Sequence, residues 1–459
     1  MSAIRPVVLA AGKGTRMKSA LPKVLHALAG KPLLLHVLDT VDQLAPVGLS
    51  VVVGHGAQAV RERVAERFDG ATIAWVEQTE QLGTGHAVRE ALPTIDDGDT
   101  VLITYGDVPL TRLDTYRRLL DACTDDALGL LTLVMDDPTG YGRIVRQGGA
   151  IVAVVEQKDA TPEQLAITEV NAGVIAIRGA RLRALLARVG NDNAQNEYYL
   201  TDVIGLAVQE GMQVEAVHPG IAHEVDGVNS RVQLARLERL HQGDVAQALM
   251  EGGVTLADPA RLDVRGTLVT GTDCYIDVNC VFEGDCTLGD DVVIGPNCVL
   301  RDARIADGAR VHAHCTLEGA EIGAGCSVGP YARLRPGTRL AQGARIGNFV
   351  ETKNAEVGVG SKINHLSYVG DATLGRDVNV GAGTITCNYD GANKHRTTIG
   401  DAVFVGSNTA LVAPVTLGAG ATVGAGSTIT RDAQPDTLVL TRARQTQLDG
   451  WVRPTKKTD

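Results

Sequence analysis

CTLGDDVVIGPNCVL, residues 286–300, puts an aliphatic side chain at Leu288, Ile294 and Leu300, one every six residues. The same step runs back to Phe282 and Ile276. Forward, one five-residue step leads to Ile305, Val311 and Leu317, and another to Ile322, Val328, Leu334, Leu340 and Ile346. Towards the C-terminal end, Ile399, Val405, Leu411, Leu417, Val423 and Ile429 keep the period strictly. Gly often follows the aliphatic position, as at Gly289, Gly295, Gly323, Gly329 and Gly347. This is the hexapeptide pattern of a parallel β-helix: six residues make one short flat side, and three sides make a coil of about eighteen residues. The span 276–429 then holds roughly eight to nine coils. Each aliphatic side chain is expected to point inward and stack on its equivalent one coil away. Gly at the corners is expected to supply backbone angles that other residues resist. Cys274, Cys280 and Cys286 share one register position, two before the inward aliphatic. They read as small packing residues of the coils rather than metal ligands.

Residues 1 to about 229 follow a different grammar. β-Branched apolar runs at Val7–Leu9, Val51–Val53, Val101–Ile103 and Leu130–Val134 alternate with helical spacing at Leu33–Leu44 and Ala57–Arg67. That alternation predicts a mostly parallel sheet covered on both faces, with ligands at the carboxyl ends of its strands. Leu234, Leu237 and Leu240, among Arg, Glu and Gln, predict one helix over 231–251, stopped by Gly252-Gly253. The expected division is a first domain over 1–230, a linker helix over 231–251 and a second domain over 252–459.

The chain of 459 residues is 44% hydrophobic and 21% charged, enough apolar surface for more than one core. Its formal charge of -11 argues against nucleic-acid and anionic-membrane surfaces, which need clustered Lys and Arg. No apolar run is long enough to span a bilayer, and Val7–Ala11 is too short for a signal-peptide core. The 8 cysteines include no CxxC pair. The expectation is a cytoplasmic protein without nucleic-acid or membrane partners.

After the first strand comes LAAGKGTRM, residues 9–17, and then LPK, residues 21–23. A Gly-rich turn in that place can cradle phosphate oxygens on its N–H groups, with Arg16 and Lys23 to neutralise charge. The dinucleotide fingerprint and the Walker A loop both fail at Met17, where each needs Gly. Further strings follow in order: QLGTGHA at 81–87, YGDVPL at 105–110, PTGYGR at 138–143, VEQKD at 155–159, NAGV at 171–174 and GVNSR at 227–231. Together they resemble the nucleotidyltransferases that join NTPs to sugar 1-phosphates. With the hexapeptide half, essentially the whole chain resembles the bacterial bifunctional N-acetylglucosamine-1-phosphate uridylyltransferase / glucosamine-1-phosphate N-acetyltransferase family. The resemblance implies an α/β protein, with a Rossmann-like nucleotidyltransferase domain joined by a helix to a left-handed parallel β-helix.

For the first site the resemblance implies transfer of a uridylyl group from UTP to N-acetylglucosamine 1-phosphate, with release of pyrophosphate. Arg16 and Lys23 would stabilise phosphates, and Asp107 and Asn229 would hold Mg²⁺. Leu9, Ala10, Ala11, Gly12, Gln78, Gly83, Thr84, Tyr105 and Gly106 would line the nucleotide side. Gly142, Glu156 and Asn171 would bind the amino sugar. On the residues alone, Asp107 reads equally as a turn residue before Pro109, Asn229 as a helix N-cap before Arg231, and Glu156 as a solvated strand end.

For the second site the signal in the period is fourteen residues between Ile385 and Ile399 where twelve are due, carrying TCNYDGANKHRTT at 386–398. An insertion in a solenoid becomes a protruding loop. Upstream lies INHLSYVGD, 363–371. The resemblance makes His365 the general base that frees the amine of glucosamine 1-phosphate to attack acetyl-CoA, a task suited to imidazole near neutral pH. It gives Arg335, Lys353 and Lys394 to the sugar phosphate, Tyr368 and Asn379 to the sugar, and Ala382, Asn388, Tyr389, Ser407, Ala425 and Arg442 to acetyl-CoA. Without it, Lys353 and Lys394 read equally as solvated coil corners. The family wording of His395–Thr398 differs here, which leaves that segment's contacts open. The resemblance further implies a homotrimer built through the β-helix, supplying a precursor of peptidoglycan and lipopolysaccharide. The alternative is a nucleotide-sugar pyrophosphorylase whose β-helix serves only oligomerisation or regulation.

Overall fold

The computed structural model describes residues 3–68 and 73–456. The chain forms two compact units, Met1–His241 and Gln242–Asp459. Among the described residues no helix is long and apolar enough to cross a membrane.

In the first unit the principal strands are β1 (Ile4–Ala10), β2 (Leu49–Val53), β3 (Ile73–Glu77), β4 (Thr100–Tyr105), β5 (Ala127–Val134), β6 (Arg143–Gln147), β7 (Ala150–Val155), β8 (Glu169–Arg178) and β9 (Gln213–Val217). The main helices are α1 (Leu33–Asp42), α2 (Ala57–Ala65), α3 (Thr84–Ala91), α4 (Leu113–Asp121), α5 (Gly179–Leu186) and α6 (Asp202–Gln209), and α7 (Arg231–Glu251) begins in this unit and ends in the second. The sheet runs β9-β5-β8-β4-β1-β2-β3, with β6 pairing β8 and β7. The strands β4, β1, β2 and β3 are parallel, as alternation predicts. The sheet as a whole is mixed, because β8 runs antiparallel between β4 and β5. It returns from the β6–β7 hairpin rather than from a helical crossover, so no connection forces it parallel. Val8, Val51, Val53 and Leu102 face one helical layer, and Val7, Val52, Val101 and Ile103 the other. Both faces are therefore covered, and ligands are left the carboxyl rim of β1, β2 and β4.

The second unit is a stack of parallel coils. One face is an 11-stranded sheet whose inward residues step through Leu256, Ile276, Ile294, Val311, Val328, Ile346, Ile363, Val380, Val405, Val423 and Val439. The other strands form a 15-stranded sheet that folds around the remaining sides. Ile276, Phe282, Leu288, Ile294 and Leu300 are all buried in one core with Cys274, Cys280 and Cys286. Each such side chain taken from water is worth roughly 1.5–3 kcal/mol, so the ladder itself is what holds the coils.

Two expectations about this unit need correction. Gly295 and Gly347 are not there for their backbone angles. A Cβ on Gly347 would lie 2.0 Å from the Asn364 carbonyl oxygen, and one on Gly295 2.9 Å from the Ala313 nitrogen. These glycines let one coil's backbone lie against the next. The left-handed corners are shared between glycines, Gly329 (φ 97) among them as expected, and side-chain-bearing residues such as Asn279, Asn297, His314, Tyr331 and Phe349. The second correction concerns Ile385, which is 49% exposed, while Thr386 beside it is buried. Thr386 can face inward because its hydroxyl accepts from Gly370 N–H at 2.8 Å and donates to Gly370 O at 3.0 Å. The lengthened coil is therefore measured from Leu374 to Ile399 and from Val380 to Val405. Each is a step of 25 residues, where Val405 to Val423 takes 18.

Candidate functional sites

In the first unit, the chain leaving β1 turns through Gly14 (φ 61) into a short 3-10 turn, Thr15–Met17, closed by Met17 N–H on Gly14 O at 2.9 Å. A Cβ on Gly14 would come within 2.7 Å of Lys23 Cβ, so the loop can fold against Lys23 only with Gly there. The Lys23 side chain is 13% exposed. Its ammonium pairs with the Asp107 carboxylate and donates to Asn229 Oδ1 at 3.1 Å. Asp107 follows β4 and Asn229 precedes α7, and the two loops are joined by Val228 N–H donating to Asp107 O at 2.9 Å.

The structure also corrects the local reading of Asn229. The helix cap is Ser230, whose Oγ accepts from Gln233 N–H at 3.2 Å, while Gln233 Oε1 accepts from Asn229 N–H at 2.9 Å. With a hydroxyl already capping the helix, the Asn229 side chain is left to face Lys23.

Two clefts open here. One, of about 360 Å³, is lined by Leu9, Ala10, Ala11, Gly12, Lys23, Gln78, Gly83, Thr84, Tyr105, Asp107 and Asn229, all expected on the nucleotide side. Gln81 and Glu197 line it too and were not among the expected residues, although Gln81 opens the QLGTGHA string. Gln81 Nε2 donates to Ala11 O at 2.8 Å, tying that string to the phosphate loop. The other cleft, of about 400 Å³, is lined by Arg16, Gly142, Glu156 and Asn171, together with Tyr141 and Gly173. The two share Tyr105, Asp107 and Asn229. Gly106 lines neither. A Cβ there would meet Leu34, Ala10 and Val24 at 3.0–3.3 Å, so it serves close packing under the loop.

Burial raises the pKa of the Glu156 carboxyl against the opposing hydrogen bond from Thr201 Oγ1 at 3.0 Å. Burial likewise raises that of the Tyr105 phenol, keeping it a donor. Asn171 is held by its Oδ1 accepting from Gly173 N–H at 2.9 Å and its N–H donating to Gly142 O at 2.8 Å.

In the second unit, register brings scattered residues into one column. Ile346 pairs with Ile363, Ile363 with Val380, Val380 with Val405, and Val405 with Val423. The residues two further along each strand are Asn348, His365, Ala382, Ser407 and Ala425. Each coil thus adds one member to a single edge of the prism. His365 is exposed, and its Nδ1 lies 2.8 Å from Asn348 Oδ1. An amide oxygen can only accept, so this contact makes Nδ1 the protonated nitrogen and leaves the Nε2 lone pair outward. Asn348 was missed by sequence reading, yet it sits one coil before His365 at the same register and was legible from the period. Arg442 reaches Ala425 O at the far end of the column, at 3.5 Å.

Arg335 and Lys353 follow the paired Leu334 and Thr352, so they project from consecutive coils. Arg335 pairs with Glu351 at 2.9 Å. The ammonium of Lys394 beside it, and then the charge of Arg335, lower the pKa of Lys353. Lys394 is placed by the long coil, which folds back as a small hairpin with Tyr389 opposite Lys394. Asp390 Oδ1 accepts from Ala392 and Asn393 N–H in its turn, at 2.8 and 2.7 Å. The segment whose contacts were open is anchored by His395 on Asp390 at 2.7 Å and Arg396 on Thr373. Beneath it lies Asp371, where burial opposes the charge. Hydrogen bonds from Asn354 and Asn388, and the nearby Lys394 and Lys353, outweigh that and keep its pKa low. Tyr368 lies over Gly370, where a Cβ would fall 2.3 Å from its hydroxyl. Asn379 pairs with Lys362 and Phe404 on the neighbouring coils. Ala382 and Asn388 are half-buried and Tyr389 is exposed. A separate groove of about 740 Å³ runs along Ile305, Ile322, Leu340 and Val357 and includes none of the expected residues.

A Gly-rich loop with paired clefts at the rim of a mixed sheet, followed by a hexapeptide prism with an exposed imidazole, defines a nucleotidyltransferase joined to a hexapeptide transferase. Residues 6–196 match the MobA-like NTP transferase domain, and residues 268–302 and 396–431 match the bacterial transferase hexapeptide (six repeats). Over 452 residues the chain is 58% identical to the bifunctional protein GlmU of Burkholderia vietnamiensis and 59% identical to that of Burkholderia pseudomallei. Each alignment covers 98% of this chain and 99% of the relative. The chain belongs to the bifunctional GlmU family, and it is an enzyme with a nucleotidyltransferase half and a hexapeptide acyltransferase half.

Proposed function

We propose that the chain makes UDP-N-acetylglucosamine in two reactions. Glucosamine 1-phosphate is acetylated from acetyl-CoA at the prism. The resulting N-acetylglucosamine 1-phosphate then receives a uridylyl group from UTP at the sheet. The observation that carries the reading is the meeting of two clefts at Tyr105, Asp107 and Asn229, around the Lys23 ammonium. A nucleotide in one and a sugar phosphate in the other would bring their phosphates together there.

At the prism, the outward Nε2 of His365 takes a proton from the sugar amine as its nitrogen attacks the thioester carbonyl. Asn348 holds the ring and its tautomer. The C–N bond forms, the tetrahedral adduct collapses, and the C–S bond breaks to release the thiolate of CoA. Arg335, Lys353 and Lys394 neutralise the sugar phosphate, and Tyr368 and Asn379 orient the sugar. Ala382, Asn388, Tyr389, Ser407, Ala425 and Arg442 take acetyl-CoA along the column. At the sheet, an oxygen of the sugar phosphate attacks the α-phosphorus of UTP, and the bond to the β-phosphate breaks. Lys23 and Arg16 meet the charge of the departing pyrophosphate, while Glu156 and Asn171 hold the amino sugar.

Asp107 and Asn229 turn two oxygens towards one cation, the ammonium of Lys23, which is a donor set suited to a hard divalent ion. With Mg²⁺ held there, the ion would offset phosphate charge at the point of transfer.

The enzyme would act in the cytoplasm as a homotrimer and feed peptidoglycan and lipopolysaccharide synthesis. The exposed apolar column of Tyr331, Phe349 and Leu366, next to Asn348 and His365, supports a neighbouring prism at that edge. The proposed boundaries are 1–230 and 252–459 on either side of the 231–251 helix, each half carrying its own reaction.

The test is a pair of assays on the full chain. Asp107→Ala should abolish Mg²⁺-dependent pyrophosphate release from UTP and N-acetylglucosamine 1-phosphate and spare acetyl transfer. His365→Ala should do the reverse. A native chain that never consumes the amine of glucosamine 1-phosphate with acetyl-CoA refutes the prism reaction and leaves the prism an oligomerisation module.

A further inference from the structure

Gln78 is the most buried carboxamide of the nucleotide cleft, 5% exposed, and its Nε2 is fully engaged. One N–H donates to Gly83 O at 3.0 Å, and the other faces His86 Nδ1 at 3.1 Å. A carbonyl oxygen can only accept, so the Gly83 contact fixes which end of the amide points inward. The second contact then requires a lone pair on His86 Nδ1. That places the ring proton on Nε2, which faces Glu90 Oε1 at 3.2 Å. The contacts agree with one another: the Glu90 carboxylate lies on the Nε2 side of the ring, His86 Nδ1 accepts from Gln78, and the Gln78 oxygen is left for the cleft. Gly83, at φ 107, takes a backbone conformation that keeps its carbonyl on this line and that a side chain would strain.

We infer that His86, oriented by Glu90, is a positioning residue that fixes the base selectivity of this cleft: it locks Gln78 as an acceptor, favouring a base edge that offers an N–H. This rests on the reading that the cleft takes UTP. Uracil carries an N–H at ring position 3. Cytosine carries a bare acceptor there, which would set two lone pairs against each other. A site that engages a polar group rejects the analogue lacking it because a buried partner is left unmatched. With His86 removed, only the Gly83 contact still holds the amide, so turning it over to present its NH₂ to cytosine gives up one hydrogen bond instead of two.

The test is the ratio of kcat/KM for UTP over CTP, measured on the full chain with N-acetylglucosamine 1-phosphate and Mg²⁺. His86→Ala should lower that ratio about tenfold, the range that one ordinary hydrogen bond controls. His86→Asn, whose side-chain oxygen can take the place of Nδ1, should restore it to within about threefold of native. If His86→Ala does not fold, Glu90→Ala serves instead. Glu90 has a 42% exposed side chain on the helix surface, and its loss should lower the ratio at least about threefold. A native ratio near one overturns both this inference and the UTP reading. A native preference for UTP that survives unchanged in His86→Ala, or in Glu90→Ala where that variant stands in, overturns the inference alone.

Discussion

Replacing Asn348 tests the acetyl-transfer geometry without touching the proposed base. The Asn348 amide oxygen is 2.8 Å from His365 Nδ1 and is the contact that selects the tautomer with Nε2 free. Asn348→Ala removes one hydrogen bond at an exposed site, worth about 0.5–1.5 kcal/mol net. Carried into the barrier, that is a fall in kcat of roughly two- to twelvefold. Asn348→Asp acts differently. A carboxylate beside the ring stabilises imidazolium, so the base frees its proton only at higher pH. At an exposed, salt-screened site the acidic limb of the pH–rate profile should move up by about 1 unit. Activity is then lost at the acidic end and recovered as pH rises. The assay is thiol release from acetyl-CoA with glucosamine 1-phosphate across pH, with pyrophosphate release from the same preparation as control. An Asn348→Ala enzyme with native kcat at every pH, together with an unmoved limb in Asn348→Asp, would refute the reasoning.

Two further outcomes are expected. Lys353→Ala should raise KM for glucosamine 1-phosphate about tenfold with kcat little changed, because an ion pair to the phosphate is made in ground and transition states alike. Initial rates at two salt concentrations should show a weaker salt dependence of KM in the variant. Glu156→Gln should stabilise the protein by about 1 kcal/mol at pH 7 while weakening use of the sugar phosphate at the sheet. Burial raises the folded pKa of Glu156 above its unfolded value, so its penalty appears as pH rises through the unfolded pKa and is complete above the folded one. The gain should therefore be present at pH 7 and vanish near pH 4, which denaturant melts at the two pH values would show.

By itself the sequence determined the two architectures and most of the lining residues. A period of six specifies inward stacking directly, because each coil repeats the same physical problem. The order of the motifs placed both clefts, since a sheet with both faces covered leaves only its rim for ligands. What tertiary structure decided were the cases where two neighbours compete for one role. Ser230 capped the helix and released Asn229 to Lys23. Thr386, not Ile385, turned inward because Gly370 satisfied its hydroxyl. The return of β8 between two parallel strands, and the partnership of Asn348 with His365 across a coil, depend on pairings between distant segments. A linear pattern records what each side chain can do, but the partner that fixes its choice is brought to it only by the folded chain.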